Sequence, residues 1–238
     1  MDAVPCLAQV DLSLGSVLAL QGRADEANGH FEQAIERQEA LEALPDLCES
    51  YLTRAQFLVG EGRLVEAEFY LGRGEGLISR ADCQPLNALL FLVQGEVHLR
   101  SGRAKEARIC FENALSQARR MENPYQEAKA LAGLGRAAME RKEHDLAEAQ
   151  LFGALAICRT LGARVDALEL YRSLEQLFLS RRIVRLLKVG PDHGGQKAEL
   201  QVNLRQGMPD LGLFEQQVQL GESPHDLAQA YGFVLTSR

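Results

Sequence analysis

Residues 14–34 read LGSVLALQGRADEANGHFEQA, and residues 94–114 read QGEVHLRSGRAKEARICFENA. Laid one over the other, Gly15 meets Gly95, Gly22 meets Gly102, Ala27 meets Ala107, Phe31 meets Phe111 and Ala34 meets Ala114, every position displaced by 40 residues. Self-similarity at one fixed offset marks a chain built by stacking a repeated unit, and that reading takes precedence over any local pattern.

Working outward, two further copies share the register. Ala55, Leu58, Gly62, Ala67, Leu71 and Gly74 form the second, and Leu134, Gly135, Ala138, Ala147, Leu151 and Ala154 the fourth. Lys142 alone breaks the glycine column of Gly22, Gly62 and Gly102. A fifth half-copy begins at Tyr171, in the column of Tyr51, Phe91 and Leu131, where the first copy has Asp11 instead. Asp11 therefore predicts a first helix without a packed neighbour on its outer side.

Each unit reads as two helices. Small residues at Gly15, Ala55, Gly95 and Gly135 on the first, and at Ala27, Ala67, Ala107 and Ala147 on the second, let backbones approach, and large residues fill the grooves beside them. Glycine falls where the chain reverses. Pro5, Pro45, Pro85 and Pro124 suit the openings of first helices. Gly72, Gly74 and Gly76 mark the second helix of the second unit as the weakest, since glycine inside a helix costs about 0.8–1 kcal/mol against alanine.

This layout resembles the tetratricopeptide repeat over residues 5 to about 180. The family's usual unit is about 34 residues. The longer unit here, and the phrase ALAICRTLGA at residues 154–163, are similar to bacterial signalling ATPases, transcription activators and cyclase-linked sensors. The resemblance implies an all-α, right-handed superhelical solenoid of about four helix pairs. Their bounds are expected near residues 5–43, 45–83, 85–122 and 124–162, with a capping helix at 165–187 and a short irregular tail at 188–238.

It also implies where a partner sits, on a concave surface lined by first helices. The facing positions in this sequence include Leu52, Gln56 and Val59, then Leu89, Leu92, Glu96 and Leu99, then Lys129 and Arg136, then Arg172. The list has an apolar middle flanked by basic residues. Exposed leucines clustered this way mark a binding face; the alternative is that long helices bury them against the next repeat. On the first reading, Leu92→Arg abolishes binding and leaves the helices intact. The lysine–asparagine pattern with which some family members clamp a C-terminal carboxylate is absent, Leu12 and Ser16 standing in its leading positions.

Composition bounds the rest. A chain of 238 residues with 46% hydrophobic and 25% charged content has material for a core, which excludes disorder throughout. Its net charge of -7 would repel a phosphate backbone, so nucleic acid is not the expected partner. The start, Met1 to Pro5, is not a secretory signal. The apolar run Ala88 to Val93 falls well short of the roughly 20 residues of a membrane span. A cytoplasmic protein is expected. Five cysteines without a CxxC pair fit reduced, mostly buried thiols.

Signals for chemistry are decoys. Gly133 to Ala138, GLGRAA, matches a dinucleotide fingerprint but sits in a helical pattern where Gly135 is the packing residue. The histidines form no HExxH and no zinc spacing, and His98 takes the place of Leu18 and Leu58, as a packing histidine would. Neither a cofactor, a metal nor catalysis is expected.

After Leu187 glycine and proline crowd the chain. Leu200 to Leu204 alternates as a strand would and could pair with Ile183 to Val189, and Ser223–Pro224 reads as a helix start. The tail is a linker or a cap that folds back. The functional expectation is a protein-interaction module in a bacterial regulatory system, or else a peptide receptor whose occupancy changes the curvature of the array.

Overall fold

The structure, a computed structural model, describes residues 3–80 and 83–188. Among these residues it is all-α: α1 (Ala3–Leu20), α2 (Ala24–Ala40), α3 (Leu44–Gly60), α4 (Leu64–Arg80), α5 (Asn87–Arg100), α6 (Ala104–Arg120), α7 (Pro124–Glu140), α8 (His144–Leu161) and α9 (Arg164–Lys188), with a 3-10 turn at Gln84–Leu86. The packing described below belongs to the unit Met1–Arg185.

One device ends most of these helices. At the close of α1 the N–H of Gly22 reaches the carbonyl of Ala19 and the N–H of Arg23 that of Leu18, and the same pair of bonds recurs at Gly62–Arg63, Gly102–Arg103 and Lys142–Glu143. This is the Schellman closure, which needs a left-handed residue at its centre. Gly22, Gly62 and Gly102 supply it at φ of 75°, 76° and 73°, and Lys142 adopts it at 61°. A side chain there costs about 1 kcal/mol. Glu42, Glu122 and Gly162 make the matching turns between pairs. Openings are marked as well: Pro45 and Pro124 start α3 and α7, and the Asn123 side chain accepts the Gln126 N–H at 3.1 Å.

Equal turns bring equal faces together. Each first helix packs on its own second helix, on the second helix of the pair before, and on the first helix of that pair. The result is an all-α solenoid. Ala27, Ala67, Ala107 and Ala147 are fully buried in its core, with Phe31, Leu71, Phe111 and Leu151 beside them. The last cluster gathers Leu131, Leu151 and Leu155 with Leu170, Leu174 and Leu177 of α9.

Joints between pairs differ in chemistry. Between α2 and α3, the buried guanidinium of Arg54 donates to Asn28 Oδ1 at 3.2 Å and Glu32 Oε1 at 2.7 Å and lies 4.5 Å over the Tyr70 ring. Nearby, the Tyr51 hydroxyl donates to Glu39 at 2.6 Å and accepts from Arg73. Between α6 and α7 the centre is apolar, Phe111 packing with Leu92, Ala130, Leu134 and Ala137. The ion pair across the two helices, Arg119 to Glu127 at 2.8 Å, lies at the exposed edge. A Cβ on Gly133 would stand 2.4 Å from the Phe111 ring, and one on Gly95 2.6 Å, so both glycines exist to admit it.

One expectation needs correcting, and two take a more exact form. Ile183 to Lys188 is helical, the end of α9, and not a strand. No glycine or proline interrupts the chain between Arg164 and Lys188, so the helical hydrogen-bond ladder runs on. The proposed strand at Leu200 to Leu204 and helix start at Ser223–Pro224 lie outside the described residues. Second, α4 is continuous through its three glycines, and Gly74, in the column of Ala34, Ala114 and Ala154, is a packing residue: a Cβ there would meet Leu52 at 2.7 Å. Third, the outer side of α1, as Asp11 predicts, has no packed neighbour among the described residues, but Asp11 itself is not part of that open side. It is buried, ion-paired with Arg37 and 3.1 Å from His30 Nδ1, both on α2.

Candidate functional site

The sequence-predicted face divides by burial. Leu52, Val59 and Leu92 are 0%, 3% and 6% exposed, so the apolar middle is packing and not a patch open to a partner. Leu52 fills the space that the missing side chain of Gly74 leaves on α4, the second helix of its own repeat, and it shares a core cluster with Leu90, Val93 and Val97 of the next first helix. Leu92 sits among Ala107, Phe111 and Ala114. Leu92→Arg would therefore disrupt the core itself, correcting the expectation that it leaves the helices intact. Leu89 and Leu99 are half-buried, each leaning on a core cluster.

What stays accessible is polar. Ser16, Gln56, Glu96, Arg136 and Gln176 occupy one register of the first helices, one per repeat, and all retain exposure. Burial claims none of them, yet each is polar. Glu96 and Arg136 pair with each other across the joint of repeats three and four. The expected basic flank is thereby reduced, because Arg136 is neutralised. Lys129 holds its Nζ 5.0 Å over the Tyr125 ring, and Arg172 is exposed. At the other end Glu49 is raised above the ordinary carboxylate range, first by burial and then by Asp46.

The decoys resolve as packing. Gly133 and Gly135 lie inside α7 against Phe111 and Leu151, so the GLGRAA phrase presents no loop of amides. His98 is half-buried, and burial, then Arg103, holds it below the usual histidine range. Among the described residues no group of three or more His, Cys, Asp or Glu is placed to hold a metal. No described helix is long and apolar enough to cross a membrane.

One pairing had no signal in the sequence. Cys48 and Cys83 come together in the core, where Cys48 donates to the Gly74 carbonyl at 3.4 Å. Burial, then Cys83, pushes the Cys48 thiol up to about 12. A thiol so held is an inert hydrophobe at neutral pH.

Fold and face together define a helical-repeat solenoid with one polar column running along its first helices. No protein-family model matches the sequence, and no curated protein matches it either. Among solved structures, BtubC (BKLC) from P. vanneervenii is similar, with a TM-score of 0.55 over 85% of this chain and 89% of that one. At 15% identity the likeness concerns the fold alone.

Proposed function

We propose that this chain is a tetratricopeptide-type interaction module that holds a segment of another protein, or a peptide, along the face of its first helices. The observation that supports it is the column Ser16, Gln56, Glu96, Arg136 and Gln176. Ser16 is bonded to the Leu12 carbonyl and Glu96 pairs with Arg136, whereas Gln56 and Gln176 stand exposed, their amides within a partner's reach. A row of donors and acceptors at repeat spacing suits a partner that itself carries them at regular intervals, such as an extended backbone. The half-buried Leu89, Leu99 and Met139 beside the row offer shallow apolar seats for its side chains. The similarity of the long repeat unit to bacterial signalling proteins supports a regulatory, cytoplasmic setting.

Selection of a random dodecapeptide library on the full chain tests this. Selected peptides are expected to lose binding to the Gln56→Ala, Gln176→Ala double variant and to keep it for Gln33→Ala, an exposed position on α2. Peptides that bind both variants as they bind the parent would place the site elsewhere.

A further inference from the structure

Helix α1 carries an apolar face that nothing among the described residues covers. Val10 is 58% exposed, whereas Leu90 and Leu170, in the same register of later repeats, are 3% and 4% exposed. The adjoining columns repeat the contrast: Leu14 and Val17 are exposed, and Leu134, Leu174, Val97, Ala137 and Leu177 are buried. In later repeats this face is closed by the second helix of the pair before, as α2 closes α3 and α6 closes α7. On α1 the same surface is complete and open.

We propose that a second copy of this chain closes it, in a two-fold dimer that lays α1 on α1. The spacing is the first reason. Leu7, Val10, Leu14 and Val17, all exposed, follow at steps of three, four and three, which is the seam by which one helix packs on its equal. Leu20, 77% exposed, prolongs the apolar surface toward the end of the helix.

Charge is the second reason. The one acidic or basic residue in Ala3–Leu20 is Asp11, and it is turned inward to Arg37 and His30. Two copies of this face meet with no like charges opposed and no ion to strip of water.

The other end of the unit supplies the third. Helix α9 exposes Glu169 and Arg172 beside Val165 and Leu168, and Glu175 stands in the column of Gly15, Ala55, Gly95 and Gly135. An apolar strip laid there would cover charges and find no small residue to approach. Head-to-tail stacking is thus mismatched, and the contact that remains is isologous, which closes at two chains.

Sedimentation equilibrium of the full chain over a wide concentration range is expected to show a reversible dimer of twice the 26.3 kDa chain mass. Val10→Glu with Leu14→Glu should leave a monomer at every concentration with unchanged helical circular dichroism, since both side chains already stand in solvent. The milder pair Val10→Ser and Leu14→Ser should weaken association about tenfold or more, and gives a reading if the glutamates disturb the helix. Val165→Glu with Leu168→Glu, both exposed on α9, should leave the dimer intact. A chain that is monomeric throughout overturns the proposal, as does a dimer that survives the α1 variants.

Discussion

Arg54 at the joint of α2 and α3 and Leu134 at the joint of α6 and α7 hold the same register in their repeats, as do Thr53 and Gly133, and Ser50 and Ala130. One joint is filled by long polar side chains, with a guanidinium bonded to Glu32 and lying on an aromatic face, though Arg54 Nε, Gln38 Oε1 and Ser50 Oγ are buried there without a hydrogen-bond partner. The other is filled by a phenylalanine ring between two glycines. The turns on either side are alike, so the fold prescribes the space between repeats and leaves its chemistry open. A buried ion pair roughly breaks even against carbon of similar volume, whereas burying a phenylalanine contributes about 1.5–3 kcal/mol. The joint of repeats three and four should therefore be the firmer, and that of repeats one and two the more sensitive to pH.

The largest effect that tests this contrast is at Gly133. Gly133→Ala forces a methyl onto the Phe111 ring, 2.4 Å away in the present packing. It is expected to cost about 1–3 kcal/mol in urea unfolding. Thr53→Ala at the same register should stay within about 0.5 kcal/mol. Equal effects at the two sites would erase the distinction.

Next is alkaline pH. Burial first, and then the hydrogen bond to Glu39, push Tyr51 up to about 12, above the value near 10 of an unfolded chain. The folded state thus keeps the proton longer. That part of the stability is whole below pH about 10 and is lost as pH rises toward 12. Thermal unfolding of Tyr51→Phe should show a shallower alkaline decline than the parent, and matching slopes would mean that the Tyr51–Glu39–Arg73 cluster does not hold the joint.

The smallest change is expected at Arg54→Leu, which gives the joint of repeats one and two the residue found at Leu134 and Leu174. Glu32 is 50% exposed and regains water once its partner is gone, so stability should move by less than about 1 kcal/mol in either direction. A loss of about 3 kcal/mol or more would show that the polar joint depends on its charges.

Much of the architecture was legible in the sequence, because columns such as Ala27, Ala67, Ala107 and Ala147 identify contact positions whatever surrounds them. The helix pairs and their glycine turns follow from that. The binding face was legible only in part. Periodicity tells which residues are equivalent but not how closely the second helix of the same repeat and the next first helix lie, and so Leu52 and Leu92 could be read as surface. Gly74 carried the missing information, since a glycine in an alanine column calls for a bulky neighbour. The Cys48–Cys83 contact, by contrast, leaves no trace in spacing; Cys83 stands directly before the 3-10 turn at Gln84–Leu86, the one such turn among the described residues. The end of α9 had two readings in the sequence, a capping helix at 165–187 and a strand over Ile183 to Val189; the helix forms, because no glycine or proline breaks its hydrogen-bond ladder.

The left-handed turns have a consequence for how such a chain changes length. Glu42 and Glu122 share nearly the same φ, 51° and 50°, so the backbone leaves the first pair and the third along equivalent paths. A gene that duplicates or loses whole units between such turns yields a chain whose ends still meet in stereochemical register. One that gains or loses a few residues rotates everything downstream away from its neighbour. Growth in this molecule is quantised, and the quantum is set at the turns more firmly than in the helices between them.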